Sequence, residues 1–225
     1  MRKGILVFLS FLFLISIYAQ ENRFEPTRSE GMQKGKSNFR GGLRAGFTGS
    51  QTTKDGCPFE GFNKFGAFVG GFVNFPVSQN GKWLIQPELN FIMKGCKHTP
   101  KIDENGMMSG DWYVLELMYG EIPLLAKWRF FRGFELESGP VFNILFKNKD
   151  VEKVDGYLNV GAPPFARFGF SGVIGLGYLF FNHLGVNLRF EGSLFPVRKP
   201  RNADWIYLFG GQYCQTFAFN VYYQF

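Results

Sequence analysis

The residues best equipped for chemistry in this chain are few and scattered. His98 and His183 are its two histidines. Cys96 and His98 form a Cys-x-His pair, but a structural zinc needs about four ligands. No neighbouring residues complete the set, so no metal site is expected. His183 has no nucleophile partner in sequence and reads as a polar residue at a membrane interface. Glu135 and Glu137 are two positions apart, which puts both carboxylates on one side of a strand. Their context does not suggest glycosidase work. The stretch GLRAG at 42–46 is not followed by a helix, so its glycines are strand spacing rather than a phosphate cradle. Catalytic residues, cofactor-binding residues and cofactors are therefore all expected to be none, and an enzyme is not expected.

The cysteines are Cys57, Cys96 and Cys214. Cys57 and Cys96 fall in neighbouring connections, and an exported chain meets an oxidising compartment. A disulfide between these two is the expected pairing. Cys214 could instead partner Cys57 or remain a thiol, and Cα separations must decide.

Export is read from the N-terminus. Arg2 and Lys3 precede an apolar run from Ile5 to Ile17, broken only by Ser10 and Ser16, and then Tyr18, Ala19 and Gln20 follow. That is the layout of a signal peptide, expected to span 1–19 with cleavage after Ala19. The run is shorter than the about 20 residues of a membrane-spanning helix. Residues 20–38 are polar and without apolar periodicity, and are expected to form a flexible periplasmic segment.

The body, 39–225, must position whatever function there is. The chain has 225 residues, 19% aromatic residues, 29 glycines and only 19% charged residues, below the usual quarter. No later apolar stretch is long enough for a helical span. Eight runs alternate instead, at about 39–49, 64–75, 83–95, 112–130, 134–146, 167–178, 183–194 and 212–225. Each is long enough to cross hydrocarbon at a tilt, for which about 9–11 residues suffice. Pro87, inside the third run, points to a bulge or local distortion. In the fourth run Leu115, Leu117 and Tyr119 share a face opposite Glu116, whereas beyond Gly120 the apolar face is Ile122, Leu124, Ala126 and Trp128. That change of phase by one residue predicts a bulge near Gly120 and Glu121. The connections alternate long and short without exception. Short periplasmic turns and long external loops produce this pattern, which puts both chain ends in the periplasm. The fold class is therefore all-β: an eight-stranded, antiparallel, up-and-down transmembrane barrel with four long external loops.

Periodicity alone does not say which face points inward. Three features favour a polar interior. The apolar face is dominated by aromatics too bulky for a narrow lumen. Trp83 and Trp128 fall near the periplasmic rim and Trp112 near the external one, as an aromatic belt does. The other face carries Arg44, Glu88, Lys94, Glu116, Lys127, Glu135, Glu137, Arg167, Arg189 and Glu191. Buried charges need partners, so these ten are expected to pair across the lumen and plug it.

Several pieces, taken in order, resemble a known group. They are GGLRAG at 41–46, QPELNFIMKG at 86–95, EIPLLAKW at 121–128, ESGPVFNILF at 137–146 and the terminal Phe225. From Gly41 to Phe225 the chain resembles the outer-membrane β-barrel proteins of Bacteroidota that include PorT-like proteins. The third long loop and the loop cysteines depart from that pattern. The resemblance implies an eight-stranded barrel, mostly without assigned activity, with one branch linked to secretion and gliding machinery. It also implies recognition by the barrel assembly machinery through the last strand, with Phe217, Phe219, Val221, Tyr223 and Phe225 as the assembly signal.

The formal charge is +7, and about +5 once Arg2 and Lys3 are removed. The basic residues are scattered, the nearest approach to a run being Arg198, Lys199 and Arg201, so nucleic acid is not an expected partner. Exposed basic loops would more simply meet anionic lipid headgroups or polysaccharide. Outer-membrane lipid is the expected surrounding. The charged external loops or the N-terminal segment offer a docking surface for another envelope protein. The expected function is a noncatalytic outer-membrane barrel with a structural, docking or accessory role. The alternatives are a small pore for ions or small solutes and a soluble lipid-binding barrel.

Overall fold

The computed structural model describes residues 39–53, 61–78, 80–98, 101–102, 108–109, 112–131, 133–153, 163–180, 183–199 and 211–225. The expected signal peptide 1–19, the segment 20–38 and Cys57 lie outside the described residues.

The strands are β1 (Arg40–Thr53), β2 (Lys64–Pro76), β3 (Trp83–His98), β4 (Lys101–Ile102), β5 (Met108–Ser109), β6 (Trp112–Phe131), β7 (Phe134–Lys153), β8 (Phe168–Phe180), β9 (Leu184–Ser193) and β10 (Tyr213–Gln224). Eight of them close a barrel in the order β1-β10-β9-β8-β7-β6-β3-β2, while β4 and β5 pair as a separate ribbon. Every barrel neighbour is antiparallel, and β1 closes on β10 with Gly42 opposite Gln224 and Thr53 opposite Tyr213. Closure leaves no strand edge exposed to lipid, where unpaired backbone groups would each cost several kcal/mol.

The registers set the tilt. Gly42 opposes Phe72, and Phe72 opposes Glu88. Pro123, Val141, Ser171 and Ser193 continue the row through β6, β7, β8 and β9. The circuit closes through Cys214, which opposes Thr52, ten residues beyond its start at Gly42. Such a stagger goes with strands inclined by roughly 40°.

Alternation then sorts the side chains. Phe47, Phe65, Val69, Leu124, Ile174, Leu188, Phe219 and Val221 are exposed on the outside. A contiguous apolar band of this extent is not tolerated against water; it is the lipid-facing surface of a transmembrane barrel. Trp83 and Trp128 stand opposite each other at the short-turn end, outward and stacked with ring centroids 5.7 Å apart. Trp112 opens β6 at the other end of the barrel, opposite Lys153.

Several expectations are corrected. There is no bulge in β6 near Gly120: its pairing with β3 keeps one register from Trp83 opposite Trp128 to His98 opposite Tyr113. The irregularity nearest that position lies in β7, where the pairing shifts between Met118 opposite Lys147 and Tyr119 opposite Leu145, leaving Phe146 as the extra residue; a second shift falls between Arg129 and Phe131 at the turn. Leu115, Leu117 and Tyr119 therefore share the inward face with Glu121 and Lys127, all of them buried. Glu116 consequently points outward at the rim rather than into the lumen. Arg167 precedes β8 and is exposed. Cys96 lies within β3, not in a loop, and is buried on the inward face. Pro87 distorts without a bulge. Pairing lapses beside it, between Phe72–Glu88 and Phe75–Ile85, yet the register on both sides is the same.

Candidate functional site

The lumen is the candidate site, because it gathers the chain's buried charges. Its construction begins with space. Eight strands enclose an interior just wide enough for side chains, so a long side chain on one strand needs a small residue facing it. A Cβ at Gly185 would come within 2.1 Å of the Tyr222 ring, and one at Gly42 within 2.2 Å of the Phe72 ring. These glycines admit two aromatic rings to the lumen, where Phe72 and Tyr222 meet edge to face at 5.8 Å. Some aromatics thus do fill this interior, although most of the chain's bulky aromatics face outward.

Around the two rings lies the larger charge cluster. Arg189 grips Glu88 with both terminal nitrogens, Nη1 donating at 2.8 Å and Nη2 at 2.7 Å. Its Nε donates to Glu137. Such paired contacts are the strong form of ion pair, combining charge with fixed geometry. Arg44 adds a second contact to Glu88 at 3.0 Å and lies over the Phe72 ring at 5.0 Å. Asn90 donates to the same carboxylate at 2.8 Å. Towards the short-turn end Lys127 meets Glu135 at 2.9 Å and Glu137 at 3.7 Å. Arg129 completes this part, 2.7 Å from Glu135, which also accepts from the Tyr222 hydroxyl at 2.8 Å.

A second, smaller cluster sits nearer the long-loop end. Lys94 lies 2.5 Å from Glu121 and 2.6 Å from Glu191. Above it Phe68, Ile92, Cys96, Leu115, Leu117 and Tyr119 form an apolar layer inside the barrel. Cys214 is also inward and buried.

Together the two clusters hold Arg44, Lys94, Lys127, Arg129 and Arg189 against Glu88, Glu121, Glu135, Glu137 and Glu191. Five bases meet five acids, so the network is neutral when every member is ionised. An uncompensated buried charge costs several kcal/mol, and pairing offsets part of that cost, the larger cluster having one base in excess and the smaller one acid in excess. Two cavities touching the network are small: about 20 Å³ beside Lys94, Asn143, Ser171 and Cys214, and about 10 Å³ between Glu121, Arg189 and Glu191. Each has room for about one water.

Eight of the ten charges read as interior lie in this network: Arg44, Glu88, Lys94, Lys127, Glu135, Glu137, Arg189 and Glu191. Glu116 and Arg167 lie outside it. Glu121 and Arg129 complete it, and the signal for Glu121 was the unbroken odd-number phase of β6. Among the described residues no group of three His, Cys, Asp or Glu is placed to hold a metal ion. His183 is a turn residue, its Nδ1 3.0 Å from the Gln224 carbonyl oxygen and its ring stacked near Tyr223. Phe217, Phe219, Val221, Tyr223 and Phe225 line the outward face of the last strand and its end.

Comparison with known proteins places this geometry. The family model described as "Outer membrane protein beta-barrel domain" matches residues 18–198. No curated protein matches the chain. Among solved structures, the chain is similar to the attachment invasion locus protein Ail of Yersinia pestis, solved in complex with the heparin analogue sucrose octasulfate. The identity is 10% and the TM-score 0.44, over 83% of this chain and 99% of that one. It is also similar to the outer membrane protein OprG of Pseudomonas aeruginosa, at 13% identity and a TM-score of 0.40, over 84% of this chain and 97% of that one.

Proposed function

The chain belongs to the outer-membrane protein β-barrel domain family, and from that premise we propose that it is a noncatalytic barrel, closed by its own side chains, that serves a structural, docking or accessory role. Its place is the cell outer membrane. The observation that carries the reading is the neutral ten-residue network filling the lumen. Pairing of this quality holds the interior shut and leaves the lipid-facing band and the outer end as working surfaces.

The same proposal includes the chain's route to the membrane. Residues 1–19 act as a signal peptide, and 20–38 as a periplasmic segment open to a partner. The barrel assembly machinery reads the strand carrying Phe217, Phe219, Val221, Tyr223 and Phe225. The pieces at 41–46, 86–95, 121–128 and 137–146 support a place in the PorT-like group of Bacteroidota, with a link to secretion machinery as one form of the accessory role.

Crosslinking in the native envelope followed by purification tests the docking role. A reproducible, stoichiometric envelope protein supports it, and recovery of the barrel alone at every crosslinker length counts against it. A second reading, a narrow pore for ions or small solutes, has one observation in its favour. The cavities of about 20 and 10 Å³ flank the Lys94 cluster, so small rearrangements there would join spaces already present. Conductance separates the two readings.

A further inference from the structure

The outer end of the β3–β6–β7 wall carries charges that the lumen does not use. On the outward face Lys149 of β7 stands directly opposite Glu116 of β6, and Lys147 opposite Met118. On the other flank Lys97 of β3 stands opposite Val114, two residues along β6 from Glu116. Lys97, Lys147 and Lys149 are exposed. Lys64 reaches over from β2, its Nζ 2.6 Å from Glu116 Oε1. The Glu116 carboxyl is held below the usual carboxylate range, first by the Lys64 hydrogen bond, then by the Lys64 charge, with Lys149 and Lys147 adding to it. Among the described residues of this rim, three cations thus act on one anion, with Lys97 on the flanking strand as a fourth positive charge.

An apolar platform lies directly beneath. Phe146, the extra residue of the β7 bulge, folds over Gly120, where a Cβ would come within 2.4 Å of its ring. It stacks towards Phe91 at 6.5 Å. Met93 and Met118 stand opposite each other beside them. The depth fits an interface. Glu116 is twelve residues along β6 from the belt residue Trp128. At about 3.3 Å per residue and a tilt of roughly 40°, that is about 30 Å across the membrane, a full hydrocarbon core. The lysines therefore stand at the outer headgroup level, and the platform lies just inside the hydrocarbon.

We propose that this wall binds a phosphorylated glycolipid of the outer leaflet, its phosphate on Lys97, Lys147 and Lys149 and its acyl chains on the Phe91–Phe146 platform. Charge complementarity selects the headgroup, and the aromatic platform below it selects a lipid over a soluble anion. Glu116 spaces the lysines and holds Lys64 among them. The site is independent of whether the lumen conducts.

Native mass spectrometry of the full barrel tests this with three added lipids: lipid A bearing its phosphates, the same lipid A after dephosphorylation, and phosphatidylglycerol. Retention of phosphorylated lipid A well above the other two is expected. The triple variant K97Q/K147Q/K149Q should lose about a hundredfold in that retention, since each lysine at an anionic surface contributes a factor of about five. K82Q, at the opposite rim, should lose nothing. Equal retention of the dephosphorylated lipid, equal retention of phosphatidylglycerol, or an unaffected triple variant would each overturn the proposal. Heat-modifiable gel migration reports whether the variant is folded. If it is not, the three-lipid comparison on the native chain still decides.

Discussion

Arg189 is the residue whose loss should hurt most, and the size of the effect follows from its contacts. Its guanidinium makes two hydrogen bonds to Glu88 and one to Glu137, all within the buried lumen. Replacement by Met keeps most of the volume and removes the charge. Glu88 would retain Arg44 at 3.0 Å and Asn90 at 2.8 Å. Among the ion pairs of the described residues, Glu137 would retain only the longer contact to Lys127 at 3.7 Å. Breaking a buried pair by removing one partner costs about 3–5 kcal/mol, and R189M should fall in that range, mainly through Glu137. Adding E137Q removes the stranded charge. The double variant R189M/E137Q should therefore recover about 1–3 kcal/mol, the coupling expected of residues in one network. Urea unfolding in lipid vesicles, followed by tryptophan fluorescence and by gel mobility, measures both. A loss under about 1 kcal/mol for R189M, or a double variant no more stable than the single one, would refute the reasoning. Either result would mean that the lumen charges are solvated rather than paired.

Two further outcomes probe the packing and the orientation. G185A should cost about 1–3 kcal/mol by overpacking, because its methyl group would collide with the Tyr222 ring. G192A should change stability by less than about 0.5 kcal/mol, since nothing lies within 4 Å of its added Cβ; both are read from the same vesicle unfolding. On the lipid face, F219R at mid-strand should cost about 2–4 kcal/mol, whereas F225R at the chain end should cost about 0–1 kcal/mol. Equal costs would argue against lipid around the band.

Much of this was readable from the alternation of residue types. Strand number and the order of long and short connections follow from the runs of period two and the gaps between them, whereas the stacking of Trp83 on Trp128 comes from the β3–β6 register. Most of the lumen network followed too, because Arg44, Glu88 and Arg189 have polar or small residues two positions away. What misled was hydrophobicity standing in for direction. Leu115, Leu117 and Tyr119 are apolar, yet they point inward because the lumen has an apolar layer near its outer end. Reading them as outward implied a phase change and displaced both Glu116 and Glu121. The same mixing holds in β2, where Phe68 and Phe72 share the inward phase with Gly70 and Asn74. Cys96 read as a loop residue because Gly95 precedes it, although β3 continues to His98. Arg167 keeps the inward phase in sequence, but β8 begins one residue later. Contacts between distant strands, such as Lys94 with Glu191, depend on the ten-residue stagger of the closed barrel, which no local pattern encodes.

The claim at the centre is that paired side chains close this lumen. Single-channel recording of the refolded barrel in planar bilayers tests it most directly. Silent membranes are expected from the native chain at moderate voltage, with openings emerging in R189M as the pairing is lost. Steady, reproducible openings from the native chain would contradict closure and favour the pore.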